Sequence, residues 1–364
     1  MNHTWNWDEI NADWLLGAQI VVSSDEVVTA FIRVEQILGR DWIETSRIHS
    51  GVQVRGTSPT LHVVTIGQML ASLEGIGGTE ELIEKLRAGD QSALAELTAV
   101  HLIRSGEPGA LVELGPLVQI AERNRKPDFR VRRDGEQWTY IEVTQPDVAE
   151  AKIHAQTILQ QIANLVQPIK KTFALEVFLR HEPNEAEMSS IAQAVQQLCA
   201  LDGPQSSDLP GLAILTLNAS APGVVVPLDH PGEPNVPRLG VAKALFGPDE
   251  PHRHISVRMA YADDRAEDFL RKEARQLPTN EPGLIMVELS RAPGGIVSWE
   301  PVLKRRFQPT IHTRVSAVCL FTSGHELTPD GEAWIPEAKV IANTHAKYPL
   351  PAWIGTALAK FQRR

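Results

Sequence analysis

Asp128 and Glu142 are the two residues of this chain whose type and spacing best suit chemistry. In Trp138-Thr139-Tyr140-Ile141-Glu142-Val143-Thr144 a period of two sends Glu142 and Thr144 to one face and Ile141 and Val143 to the other. A carboxylate between two apolar β-branched residues is costly to bury unless a cation or hydrogen-bond donors meet it. Asp128 opens an earlier strand, directly after Pro127 has fixed the chain direction. A hairpin closed at Asp134-Gly135 would lay the two strands side by side, with both carboxylates converging on one divalent ion. Hard oxygen donors suit Mg²⁺ or Mn²⁺. Such an ion activates water or steadies charge on a phosphate. Glu96 is the third acid. It falls at helical spacing with Ala99, Val100 and Ile103, so it lies on the apolar side of its helix or at the border. Taken alone, Glu96 reads as an acid favoured by the helix dipole.

Periodicity supplies the elements that must position these groups. A helix is expected over about Gln91–Arg104, then a strand at Ala110–Leu114 and the hairpin of Pro127–Arg133 with Trp138–Thr144. A second helix is expected over about Val148–Val166, a strand at Phe173–Leu179, a helix at Glu185–Leu198 and a strand at Leu212–Leu217. Ala221–Pro237 reads as a Pro/Gly-rich loop, and further strands are expected at Leu284–Leu289 and Ser316–Phe321. The tail, 340–352, reads as a last strand and a capping turn. Upstream, Val27, Val28, Phe31, Ile32, Val34 and Ile37 have helical spacing. Thr79 and Gly89 read as the start and stop of a short helix. The organisation expected is a mainly helical accessory region, 1–88, followed by an α/β domain, 89–364.

Composition bounds the function. With 43% hydrophobic and 22% charged residues in 364, the chain is of the folded type and long enough to bury a full core. Its net charge of −10 argues against a nonspecific nucleic-acid coat protein. The acidity is concentrated at the start, where residues 1–90 hold 13 acids against 6 bases. A basic run follows in Arg123, Arg125, Lys126, Arg130, Arg132 and Arg133, either a phosphate-facing surface or a solvated strand edge. Apolar runs are short, far from the roughly 20 residues a membrane span needs, so no membrane partner is expected. The opening Met1-Asn2-His3-Thr4-Trp5 has neither a basic start nor an apolar stretch. Cys199 and Cys319 read as buried free thiols. A cytoplasmic setting is expected.

Taken in order, helix Glu96, then Lys126-Pro127-Asp128-Phe129, then Ile141-Glu142-Val143-Thr144-Gln145 resembles the PD-(D/E)xK nuclease superfamily. This resemblance covers residues 90–180 best. It implies a restriction-endonuclease-like core, a mixed β-sheet flanked by helices, with the Val148 helix as its second helix. It also implies phosphodiester hydrolysis in DNA in a restriction, repair or defence setting, with homodimers common among such proteins. Asp128, Glu142 and Glu96 would then hold the metal, and Arg125, Lys126 and Arg130 would meet DNA phosphates. The departure is Thr144, which stands where the motif has lysine. A hydroxyl can bond a water but brings no positive charge to the transition state. Lys152 or Lys126 would stand in for the missing ammonium, or Thr144 and Gln145 would suffice with more help from the metal. Otherwise the site is silent, and the fold serves as a binding or assembly module. In a third reading Asp128 and Glu142 are merely structural.

Other signals are bland. His252 and His254 have metal-like spacing but no partners, and read as loop histidines. Ser323-Gly324-His325 reads as a turn, and Gly75-Ile76-Gly77-Gly78 as a turn without a phosphate-loop lysine. Trp5, Trp7 and Trp14 read as core or interface anchors, with base stacking the alternative.

Overall fold

Local capping chemistry starts the helices. The computed structural model describes residues 5–11, 20–45, 59–120, 123–147, 150–218, 238–247, 250–260, 265–292 and 295–363. Trp14 and the expected loop 221–237 lie outside them. After α1 (Trp7–Asn11), α2 (Ser24–Ile37) begins at a reciprocal box in which Ser23 Oγ accepts from the Glu26 amide and Glu26 Oε2 accepts from the Ser23 amide. Next come α3 (Pro59–Ala71), which the sequence pattern does not predict, and α4 (Glu80–Arg87). Thr79 precedes α4 but its hydroxyl makes no capping bond. Gly89, at φ +76°, ends that helix in the left-handed conformation that glycine adopts freely. Asp90 then caps α5 (Gln91–Gly106), its Oδ1 accepting from the Ser92 amide at 2.8 Å.

The expected hairpin forms. β1 (Leu111–Leu114) is followed by a small separate hairpin of β2 (Val118–Ile120) and β3 (Arg123–Arg125), then by β4 (Phe129–Arg132) and β5 (Thr139–Thr144). β4 pairs antiparallel with both β1 and β5, and Gly135 takes φ +76° in the connecting turn.

After β5 the chain enters a second compact unit, Asp147–Asp264 with Arg291–Trp299, whereas the first comprises Met1–Pro146, Arg265–Ser290 and Glu300–Arg364. Residues on both sides of position 88 therefore share the first unit. The second unit contains α6 (Glu150–Val166), β6 (Phe173–Leu179), α7 (Glu185–Ala200), β7 (Gln205–Leu209), β8 (Ala213–Asn218), β9 (Arg238–Gly247) and β10 (Glu250–Ala260). Its sheet runs β7-β8-β6-β10-β9 over its own core, which includes Ile162, Val177, Val195 and Ile255. The helix expected from Val148 is thus α6, and it packs on this sheet, against β9 and β10. It is not the helix that connects strands of the first unit. His252 and His254 lie within β10, not in a loop.

The chain returns to the first unit through α8 (Ala266–Glu273) and β11 (Gly283–Glu288). After α9 (Gly295–Arg306) come β12 (Ala317–Thr328), β13 (Gly331–Ala342) and α10 (Ala352–Ala359). The six-stranded sheet has the order β1-β4-β5-β11-β12-β13, mixed because β11 is parallel to both β5 and β12. Parallel neighbours need a crossover, and within the first unit the helix before β11 is α8, which packs on β5. The strand expected at 316–321 is longer than predicted, and Ser323-Gly324-His325 continues β12 and is not a turn. The tail holds the end of β13 and a turn at Thr344-His345, as expected, and α10 follows. One core joins Phe31, Val64 and Leu97 of the helices to Phe129, Ile141 and Phe321 of the sheet. Trp5 and Trp7 anchor there, packing edge-on against Phe31. Cys199 and Cys319 are buried free thiols. Among the described residues no helix is long and apolar enough to cross a membrane.

Candidate metal centre

Hairpin register brings the first two carboxylates together. Phe129 pairs with Ile141 and Arg130 with Tyr140, so one further step sets Asp128 opposite Glu142. Asp128 Oδ2 also accepts from the Val143 amide at 2.7 Å, which ties its side chain to the strand that carries Glu142. The Gly115 amide donates to the Asp128 carbonyl at 2.7 Å and anchors the backbone there. Ile141 enters the core while Glu142, next in the strand, is only 5% exposed and its Oε1 is buried with no hydrogen-bond partner. An orphaned buried carboxylate oxygen is expensive unless something absent from the polypeptide satisfies it.

Glu96 joins from α5, half-buried among core residues of that helix. Glu273 joins from the end of α8, at the positions Ala266, Leu270 and Glu273 that make the buried stripe of that helix. The charges of these acids bear on Glu142, Asp128 and Glu96. Burial, and then the charges of Asp128, Glu273 and Glu96, push the Glu142 carboxyl well above the usual carboxylate range. Asp128 is pushed up by burial and by Glu273, against the pull of the Val143 amide. Glu96 rises to about 8 through burial and the Asp128 charge. Carboxylates held this way cannot all ionise at neutral pH, and a divalent cation is the natural remedy. As placed, no three or more His, Cys, Asp or Glu side chains among the described residues stand as a ready-made ion-holding group. The donor chemistry fits a hard cation; the carboxylates would still have to draw together around it.

Of the cations named from sequence, Lys126 acts on these acids, joined by two that were not named. Lys85, on α4, draws down Glu96 and Asp128, with Lys126 adding to the effect on Glu96, and Lys272 draws down Glu142. Lys152 belongs to the second unit, where its ammonium donates to the Arg291 carbonyl at 3.2 Å. Thr144 is buried on the same strand as Glu142, and Gln145 donates to Glu288 Oε2 at 2.6 Å. Glu273 carries the same signal that singled out Glu96, an acid on the apolar stripe of a helix. Nothing in the sequence marks Lys85 or Lys272, because proximity to the acids is a matter of packing.

Much of the basic run is neutralised. Arg130 grips Glu113 Oε2 at 2.9 and 2.6 Å, reaches the Tyr140 hydroxyl at 3.1 Å and stacks 4.3 Å over Trp138. Arg133 pairs with Glu107, and Lys126 with Glu81. Arg125 ends β3 and is half-exposed. This is the solvated strand edge more than a bare phosphate-facing surface, because three of its six cations already have acidic partners. No family profile, no curated protein and no solved structure matches the chain.

Proposed function

We propose that this chain is a metal-dependent nuclease that hydrolyses phosphodiester bonds in DNA, with Asp128, Glu142 and Glu96 holding Mg²⁺ or Mn²⁺. The observation that carries the reading is the partnerless buried Oε1 of Glu142 beside the mutually repelling Asp128 and Glu96. Bound there, the ion would supply an activated water and charge stabilisation at the scissile phosphate. Glu273 adds a fourth carboxylate to the shell. Thr144 would orient water through its hydroxyl, and the positive charge that the motif lysine normally brings would come from another element. A restriction-endonuclease-like core accords with the order α5, β1, β4, β5, α8 and β11, taken with the second unit as an insertion between β5 and α8. A cytoplasmic restriction, repair or defence role goes with this reading.

The second reading is a silent nuclease fold that binds without cutting. Thr144 at the lysine position favours it, together with the ion pairs that occupy Arg130 and Lys126. The test is cleavage of supercoiled and linear DNA with Mg²⁺ or Mn²⁺, alongside calorimetric titration of the metal. Metal-dependent cutting that disappears in Asp128→Ala and Glu142→Ala is the expected result. Metal binding without cutting favours the silent fold, and neither binding nor cutting overturns the metal centre altogether.

A further inference from the structure

A cavity of ≈ 380 Å³ opens beside the acids, lined among others by Gly78, Glu81, Lys85, Glu96, Lys126 and Asp128. Two ammonium groups stand in its lining, and one carboxylate holds both. Glu81 accepts from Lys85 at 2.9 Å through Oε1 and from Lys126 through Oε2. Gly115 lies against the lysine end: it adopts φ +54°, a conformation glycine takes freely, and a Cβ there would stand 2.5 Å from Lys126 Cε and push the ammonium aside. Lys85 and Glu81 are one turn apart on α4, the spacing at which side chains meet. All three side chains are about half exposed, so an incoming ligand can reach them.

We propose that Glu81 is an internal stand-in for a phosphate, and that a DNA phosphodiester displaces it and takes Lys85 and Lys126 together, next to Glu96 and Asp128. The proposal rests on the nuclease-fold reading only for the identity of the ligand. A carboxylate and a phosphodiester each offer two anionic or partly anionic oxygens to a pair of donors. Glu81 and its lysines form an exposed network, cheap to open: ion pairs of this kind contribute roughly 0–1 kcal/mol. While closed, the clamp keeps both cations away from unselective anions. When open, it delivers positive charge beside acids that otherwise repel nucleic acid, the need created by Thr144.

The test measures binding of a labelled DNA duplex to the full chain in EDTA, where no cutting occurs, as a function of salt. Glu81→Gln should tighten binding by about two- to fivefold, the size of an exposed ion pair. Glu80→Gln removes the same charge from the same cavity lining without freeing an ammonium, and should give a smaller gain. Lys85→Gln and Lys126→Gln should each weaken binding and flatten the salt dependence by roughly one counterion. In the double variant Lys85→Gln/Glu81→Gln, the gain from Glu81→Gln should shrink. Equal effects of Glu81→Gln and Glu80→Gln, with salt slopes unchanged by the lysine variants, would overturn the proposal. So would complete displacement of the duplex by inorganic phosphate at constant ionic strength, which would assign the clamp to a free phosphate. Loss of cutting in the cleavage assay leaves this outcome unaffected, so the two readings fail separately.

Discussion

At the scale of single residues, the acids and the half-buried histidines pull stability in opposite directions with pH. Glu96 titrates at about 8 in the folded chain against 4.5 ordinarily, and Glu142 is raised as well. A raised carboxyl binds more protons folded than unfolded, so its contribution is present at low pH and is lost as pH rises through the folded value. His62 and His325 behave the other way: burial lowers them to about 4 and about 3, so their neutral forms favour folding above pH 6.5 and oppose it as pH falls. The metal-free chain should therefore melt highest below about pH 6.5 and lose several degrees from there towards pH 9. Added Mg²⁺ should restore the alkaline side, and thermal melts in EDTA and in Mg²⁺ across pH 5–9 would show it. Glu142→Gln should melt higher than the natural chain in EDTA at pH 8, by roughly 2–4 °C for each kcal/mol of repulsion removed. It should gain little from Mg²⁺. A natural chain whose alkaline melting ignores Mg²⁺ would count against the metal centre.

At the scale of elements, the site depends on close packing around α5. Gly106, in its last turn, lies so near α10 that a Cβ would stand 2.5 Å from the Ala357 carbonyl oxygen. Backbone cannot yield as a flexible side chain does. Gly106→Ala is expected to destabilise the first unit by about 1–3 kcal/mol through overpacking. Chemical denaturation would read the loss directly; an unchanged midpoint would mean that α5 and α10 can separate at no cost. α3 is instructive in the same way. Its Pro59-Thr60-Leu61-His62-Val63-Val64-Thr65-Ile66 is rich in β-branched residues, which favour strands, yet it is helical with nine buried positions. Burial on nearly all sides overrides its propensity.

At the scale of the molecule, two hydrophobic cores imply two cooperative units. Calorimetry should resolve two transitions, because cooperativity follows a shared core. Ile255→Ala, in the core of the second unit, should lower one transition by about 2–5 kcal/mol. Mg²⁺ should raise only the other, since every acid of the site belongs to the first unit. A single transition moved by both perturbations would show that the units unfold as one.

Much of the local structure was legible in the residues. Alternation exposed the hairpin of β4 and β5, and with it the pairing of Asp128 and Glu142, because a slip of one residue would turn the apolar side chains of both strands out of the core. Helical periodicity found α5, α6 and α7 to within a few residues, since each is long enough for an apolar face to repeat. What the residues could not reveal was long-range. The chain leaves the first unit after Pro146 and returns at Arg265, so the helix that packs on β5 is α8 and not the next one in sequence. Glu273 and Lys272 reach the acids only through that packing, and Lys85 through the packing of α4 on α5. Periodicity is a property of neighbours along the chain, whereas the field around a carboxylate is set by groups close in space, however far apart they lie in sequence.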